Sequence, residues 1–228
     1  MPPNTAQETA QETAQERSPQ RLVQQGYDSI SEQYLSWATQ KPTPRQDKLA
    51  ALLKELEEPS RARVLELGCG AGIPGTQFLS ERCQQVLAND ISEAQIQLAR
   101  SALASARNVE LVAGDMTALE FGPASFQAVV ALYSLFHIPR EEQKVMLGRI
   151  HAWLARGGVL MCNLGVGDDP GSTSEWLGTR MYWSQFDEAT NMEVVKAAGF
   201  DVLDAEVIEE LENGRQVPFQ WIIARKSG

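Results

Sequence analysis

The stretch "VLELGCGAGIPGTQFL", Val64 to Leu79, decides how this chain folds, and its glycines admit two readings. The apolar run that ends in glycines has the pattern of a buried parallel strand entering a tight turn, with a helix continuing through Phe78 and Leu79. Gly70, Gly72 and Gly75 spell G-x-G-x-x-G, the turn that seats a dinucleotide pyrophosphate on the next helix N-terminus. Gly68, Gly70 and Gly72, preceded by Glu66, spell E-x-G-x-G-x-G instead. Both need backbone close to a ligand with no Cβ in the way. Only the second places a carboxylate at the end of the strand.

Outward from this stretch, strands and helices alternate. "QVLAND" (85–90), "VELVAGD" (109–115), "FQAVVALYSL" (126–135) and "GGVLMCNLG" (157–165) read as further strands. Helices are expected between them, one opened by Ser92 as N-cap and one over Arg140 to Leu154. A last helix, Ala189 to Ala198, precedes two apolar segments joined across Asn213-Gly214, a strong hairpin signal. The fold class that follows is α/β: a doubly wound, mostly parallel sheet with right-handed crossovers, closed by a C-terminal antiparallel hairpin. Ahead of it, Tyr27, Ile30, Tyr34 and Trp37 share one helix face; Lys41-Pro42-Thr43-Pro44 breaks that helix, and Leu49, Leu52, Leu53 and Leu56 mark the next. Residues 1–19, with "TAQE" repeated and no apolar stripe, read as a disordered or frayed arm. Residues 20–228 read as one domain, with 20–57 as N-terminal lid helices.

In such a sheet the ligand lies beyond the carboxyl ends of the strands. An acid at Glu66 is unwelcome beside pyrophosphate and useful beside a cation. S-adenosylmethionine carries an ammonium and a sulfonium and no phosphate. Asp90 ends the second strand, where it can accept from the ribose hydroxyls of either cofactor, and Asp115 ends the third, where it can accept from an adenine amino group with Met116 beside the ring.

With "LELGCGAG", "ANDIS", "AGDM", "VVALYSLFHI" and "LARGGVL" in this order, the chain resembles the class I S-adenosylmethionine-dependent methyltransferases, from about Tyr27 to Arg225. The resemblance implies a Rossmann-like sheet of seven strands with S-adenosyl-L-methionine as cofactor. Glu66, Gly68 and Gly70 would line the methionine end, Asp90 and Ile91 the ribose, Asp115 and Met116 the adenine. Ala131 would contact the cofactor, and Tyr27 and Tyr34 would close over it as in small-molecule members. Two departures, Gln127 where Asp is common and Ala155-Arg156 where Lys-Pro is common, lie outside the expected pocket.

The reaction implied is methyl transfer to the O, N, S or C atom of a small-molecule acceptor; the same cofactor site also serves relatives that catalyse a rearrangement or cyclisation. His137 follows the fourth strand, either as a general base or as a structural residue, and Tyr133 stands on the same rim, facing acceptor, cofactor or core. Residues 172–191 read as a long substrate-side loop, whose Trp176, Tyr182 and Trp183 would either wall a pocket or form a hydrophobic cap over the sheet end, and whose Arg180 would meet an acceptor carboxylate.

The formal charge of −10 argues against a nucleic-acid partner. The N-terminus lacks a secretory pattern and no apolar run is long enough to span a bilayer, so a cytoplasmic protein is expected. Cys69, Cys83 and Cys162 sit at no metal-like spacing and read as small apolar residues in a reducing compartment, and no metal site is implied.

Overall fold

The computed structural model describes residues 18–228, so the expected arm lies outside the described residues except at its end. There, Ser18 caps the first helix, accepting from the Arg21 N–H at 3.2 Å, and Pro19 fills a first-turn position whose N–H needs no partner. This helix, α1 (Pro19–Gln40), ends at the proline-rich break, and α2 (Arg45–Lys54) buries Leu49, Leu52 and Leu53.

The alternation then runs β1 (Arg63–Leu67), α3 (Gly75–Ser80), β2 (Gln85–Asp90), α4 (Glu93–Ala102), β3 (Val109–Ala113), β4 (Phe126–Ala131), α5 (Arg140–Trp153) and β5 (Leu154–Gly165). Ser92 caps α4 as expected, accepting from the Gln95 N–H at 3.1 Å. β4 stops four residues short of its apolar run. Tyr133 takes a left-handed φ of 53°, and Leu135–His137 winds into a 3-10 turn.

The loop expected over residues 172–191 is instead a β-hairpin, β6 (Asp169–Trp176) and β7 (Thr179–Gln185), followed by α6 (Glu188–Ala197). Its turn residues, Leu177 and Gly178, have φ of 50° and 82°. Leucine rarely adopts that conformation, so the sequence carries no Asn-Gly or Asp-Gly cue there. The closing hairpin, β8 (Phe200–Glu212) and β9 (Arg215–Lys226), does carry it: Asn213 and Gly214 sit at φ 48° and 78°.

The main sheet has seven strands in the order β3-β2-β1-β4-β5-β9-β8, with β9 antiparallel to both its neighbours. Alternate side chains feed two cores, Leu65, Leu67, Val129 and Leu160 on one face, Val64, Val86, Val130 and Met161 on the other. Strand order reverses between β1 and β4, which opens a crevice at their carboxyl ends.

α1 roofs that crevice and is pinned at several points. Asp28 accepts from the Ser92 hydroxyl at 2.6 Å and from the Ala94 N–H at 3.2 Å. Gly26 lets the β6–β7 hairpin press against the helix: a Cβ there would lie 2.6 Å from the Met181 sulfur. No helix among the described residues is long and apolar enough to cross a membrane.

Candidate functional site

The tips of β1, β2 and β3 and the roof helix enclose a narrow cleft of about 50 Å³, walled by Gly68, Gly70, Asp90, Ile91, Asp115 and Met116 below and by Tyr27 and Tyr34 above. Asp90 is buried, and its carboxylate accepts from the Gly70 N–H at 2.8 Å and the Ser92 N–H at 2.9 Å. Each oxygen keeps a second acceptor direction for a ligand hydroxyl. Burial pushes the Asp90 pKa up to about 6 against the pull of those backbone bonds. Asp115 spends one oxygen on the Thr117 N–H at 2.8 Å.

Glu66 answers the question posed by the glycines. It lies buried behind the turn, accepts from the Thr76 hydroxyl at 2.6 Å, and is pushed up to about 7 by burial. A Cβ on Gly75 would stand 2.5 Å from its Oε1, and one on Gly72 would stand 2.6 Å from Leu103 Cδ1. Two of the three glycines in the dinucleotide pattern therefore serve the packing of an acid and a helix. A pyrophosphate at this turn would meet the Glu66 carboxylate. With Gly68, Gly70 and Tyr34, Glu66 borders a smaller pocket of about 20 Å³ that continues from the cleft.

Two side chains around these spaces escaped sequence reasoning. Gln95, on the first turn of α4, is buried on the cleft wall with neither amide atom hydrogen-bonded among the described residues. Arg45 borders the small pocket, and its Nε is likewise buried without a partner. Gln95 falls at the right spacing for a core position of α4, and Arg45 is eighteen residues upstream of the start of β1, so no local pattern singles out either one. Ala131 departs the other way: it is buried in the core and is not among the residues that wall the cleft.

His137 is buried, and both its nitrogens are spoken for. Nδ1 lies 2.9 Å from the Tyr182 carbonyl, which can only accept, so Nδ1 carries the proton and Nε2 accepts from the Tyr27 hydroxyl at 2.9 Å. Burial pulls the His137 pKa down to about 4, keeping the ring neutral, and raises that of Tyr27 well above the ordinary phenol, keeping it a donor. The imidazole thus ties α1 to β7. His137→Ala should weaken S-adenosylhomocysteine binding roughly five- to tenfold and lower the melting temperature, as loss of two buried hydrogen bonds implies. A free general base would show the opposite pattern in calorimetry, with affinity unchanged and turnover gone.

Beyond Tyr27, Tyr34 and Tyr133 opens a larger cavity of about 560 Å³, within the range of small-molecule sites. Trp176 and Trp183 line it, as do Trp37, Phe136 and Phe219, which sequence reasoning did not place at a site. Trp176 reaches from the hairpin to the roof, its ring 5.3 Å from that of Trp37 and 5.7 Å from that of Tyr34. Arg180 and Tyr182, expected here as well, are absent from the wall. Strand alternation turns them to the face of β7 opposite Trp183; Arg180 is exposed and donates to Thr173 at 2.6 and 2.9 Å. Tyr182 contributes only its carbonyl to His137. Tyr133 borders both spaces, and its hydroxyl donates to the buried Glu210 carboxylate, which also pairs with Lys41 at 3.1 Å. No cluster of three potential metal ligands occurs among the described residues.

Several known proteins are similar to this chain. Residues 64–158 match the model of a methyltransferase domain. The chain is 36% identical over 129 residues to the carboxy-S-adenosyl-L-methionine synthase of Pseudomonas savastanoi pv. phaseolicola, covering 50% of this chain and 49% of that protein. It is 29% identical over 153 residues to the O-methyltransferase cnsE of Penicillium expansum, covering 64% of this chain and 55% of that one. The chain spans about half the length of these curated relatives. Among solved structures, the Burkholderia thailandensis 1,6-didemethyltoxoflavin-N1-methyltransferase, with 1,6-didemethyltoxoflavin and S-adenosylhomocysteine bound, shares the fold at 23% identity and a TM-score of 0.73, over 90% of this chain and 87% of that one. Over residues 64–158, the chain is similar to methyltransferase domains.

Proposed function

We propose that this chain is a cytoplasmic, single-domain methyltransferase that moves a methyl group from S-adenosylmethionine to a small-molecule acceptor. The observation that carries the reading is the shared wall: Tyr27, Tyr34 and Tyr133 border both the nucleoside cleft and the larger cavity. Displacement at a methyl carbon needs nucleophile and leaving group in line, and two spaces meeting at one wall supply that alignment.

The unpartnered groups fit the cofactor. Gln95, a donor and an acceptor in one amide, complements a ribose hydroxyl beside Asp90, while Arg45 complements the methionine carboxylate and Glu66 the ammonium. Asp115 and Met116, on the same cleft wall, suit the adenine. Bound there, S-adenosylmethionine supplies a methyl group already activated by the sulfonium. The protein's share is to align the acceptor, exclude water with the aromatic roof, and hold Tyr27 in place through His137. The three cysteines, all unpaired, suit a reducing compartment.

Calorimetric titration tests the assignment. S-adenosylmethionine and S-adenosylhomocysteine should bind in the micromolar range, and NAD at least a hundredfold more weakly, because its pyrophosphate would face Glu66. Equal affinity for NAD would overturn the reading.

A further inference from the structure

The narrow cleft extends to the first turn of the roof helix, where Gln20 and Val23 join its wall. Its polar groups can be followed one by one. The Tyr27 hydroxyl is held by His137, the Tyr133 hydroxyl by Glu210, and the Ser134 hydroxyl donates to the Leu67 carbonyl at 2.8 Å. Asp90, Tyr34 and Gln95 gather around the Gly70 turn: Asp90 accepts from its N–H, and a Cβ there would stand 3.5 Å from Tyr34 Cε1 and 3.8 Å from Gln95 Oε1. Asp115 and Gln20 remain. One Asp115 oxygen accepts from the Thr117 N–H at 2.8 Å, and the other has no partner among the described residues. Gln20 donates its amide N–H to Glu142 at 2.9 Å, joining the first turn of α1 to the first turn of α5. A carboxylate only accepts, so Glu142 fixes how the amide faces: its nitrogen lies toward α5 and its oxygen is left over. Glu142 stands near Asp115 as well, for burial and then the Asp115 charge hold its carboxyl above the ordinary value.

We infer that Gln20, oriented by Glu142, works with Asp115 as the reader of the purine 6-position, the two oxygens accepting the two hydrogens of a 6-amino group; this rests on the nucleoside reading above. A 6-oxopurine would turn an acceptor toward two acceptors and leave all three unmatched, and such a mismatch is the strongest source of selectivity between analogues of one size. The base-selecting contact thus comes partly from the roof helix and partly from the tip of β3.

Calorimetry on the full chain tests this with S-adenosylhomocysteine and S-inosylhomocysteine, the analogue whose 6-amino group is replaced by an oxo group. Wild-type protein should prefer the amino nucleoside by about a hundredfold, the size expected of one hydrogen bond to a charged acceptor and one to a neutral acceptor. Gln20→Leu should lower S-adenosylhomocysteine affinity about fivefold and leave S-inosylhomocysteine affinity unchanged or improved. A merely structural Gln20 would weaken both nucleosides alike. Glu142→Leu, at a residue off the cleft wall, should reduce the preference about two- to threefold by freeing the amide, and it decides the matter if Gln20→Leu fails to fold. Equal binding of the two nucleosides by wild type, an equal loss for both in Gln20→Leu, or a preference that neither variant reduces overturns the inference. Failure of S-adenosylhomocysteine itself to bind would instead strike the methyltransferase reading.

Discussion

Asp90→Ala is expected to reduce S-adenosylhomocysteine affinity by about a hundredfold or more, the loss of one or two hydrogen bonds to a charged acceptor at about 1.5–3 kcal/mol each. The same carboxylate holds the glycine turn before any ligand arrives, through the Gly70 and Ser92 N–H groups. Removing it strands both donors, so the melting temperature of the free protein should fall by several degrees as well. Asp90→Asn separates the two effects. Its single amide oxygen can keep one backbone bond, so the fold recovers most of its stability while nucleoside binding stays impaired. Near-wild-type affinity in Asp90→Ala, measured by calorimetry, would show that the nucleoside does not lie at the tip of β2.

The second large effect is on pH dependence. Burial raises both Glu66, to about 7, and Asp90, to about 6. Each folded carboxyl holds its proton at a pH where the unfolded chain has lost it. Their contribution to stability is therefore present at low pH and lost as pH rises through 6 to 7. Cofactor binding has the opposite sign, since ammonium and sulfonium favour the ionised carboxylates and binding expels the protons. Affinity for S-adenosylmethionine should rise about tenfold between pH 6 and 8 and then level off, one proton being released per unit of slope. His137, held near 4, stays neutral throughout this window and does not contribute. Glu66→Gln should weaken binding and flatten the profile above pH 6. A wild-type profile that is level from pH 6 to 8 would remove Glu66 from the cofactor site.

Most of the fold was legible because its signals are local. Apolar strands that end in glycine, a Ser92 cap and an Asn213-Gly214 turn each declare themselves within a few residues. The β6–β7 hairpin did not, because Leu177 occupies a left-handed turn position that sequence rules assign to glycine or asparagine. The candidate site divides along the same line. Glu66, Asp90 and Asp115 stand at strand tips, where chain order alone brings them together. Arg45 and Gln95 meet the cleft through tertiary packing of helix faces, and their unpaired donors and acceptors become visible only when the buried polar atoms are counted. Arg180 and Tyr182 were misplaced because reading β7 as a loop conceals its two-residue alternation.

Tyr27 and Tyr34 stand on one helix and cover both spaces, so the two guests share a single ceiling. Whatever ordering of that ceiling the first guest brings about is ordering the second need not supply. Linkage makes the favour mutual: if the nucleoside tightens acceptor binding by some factor, the acceptor tightens nucleoside binding by the same factor. In the methyl-transfer cycle proposed above, each product would then slow the other's departure, and opening of the roof helix would be the event that releases both.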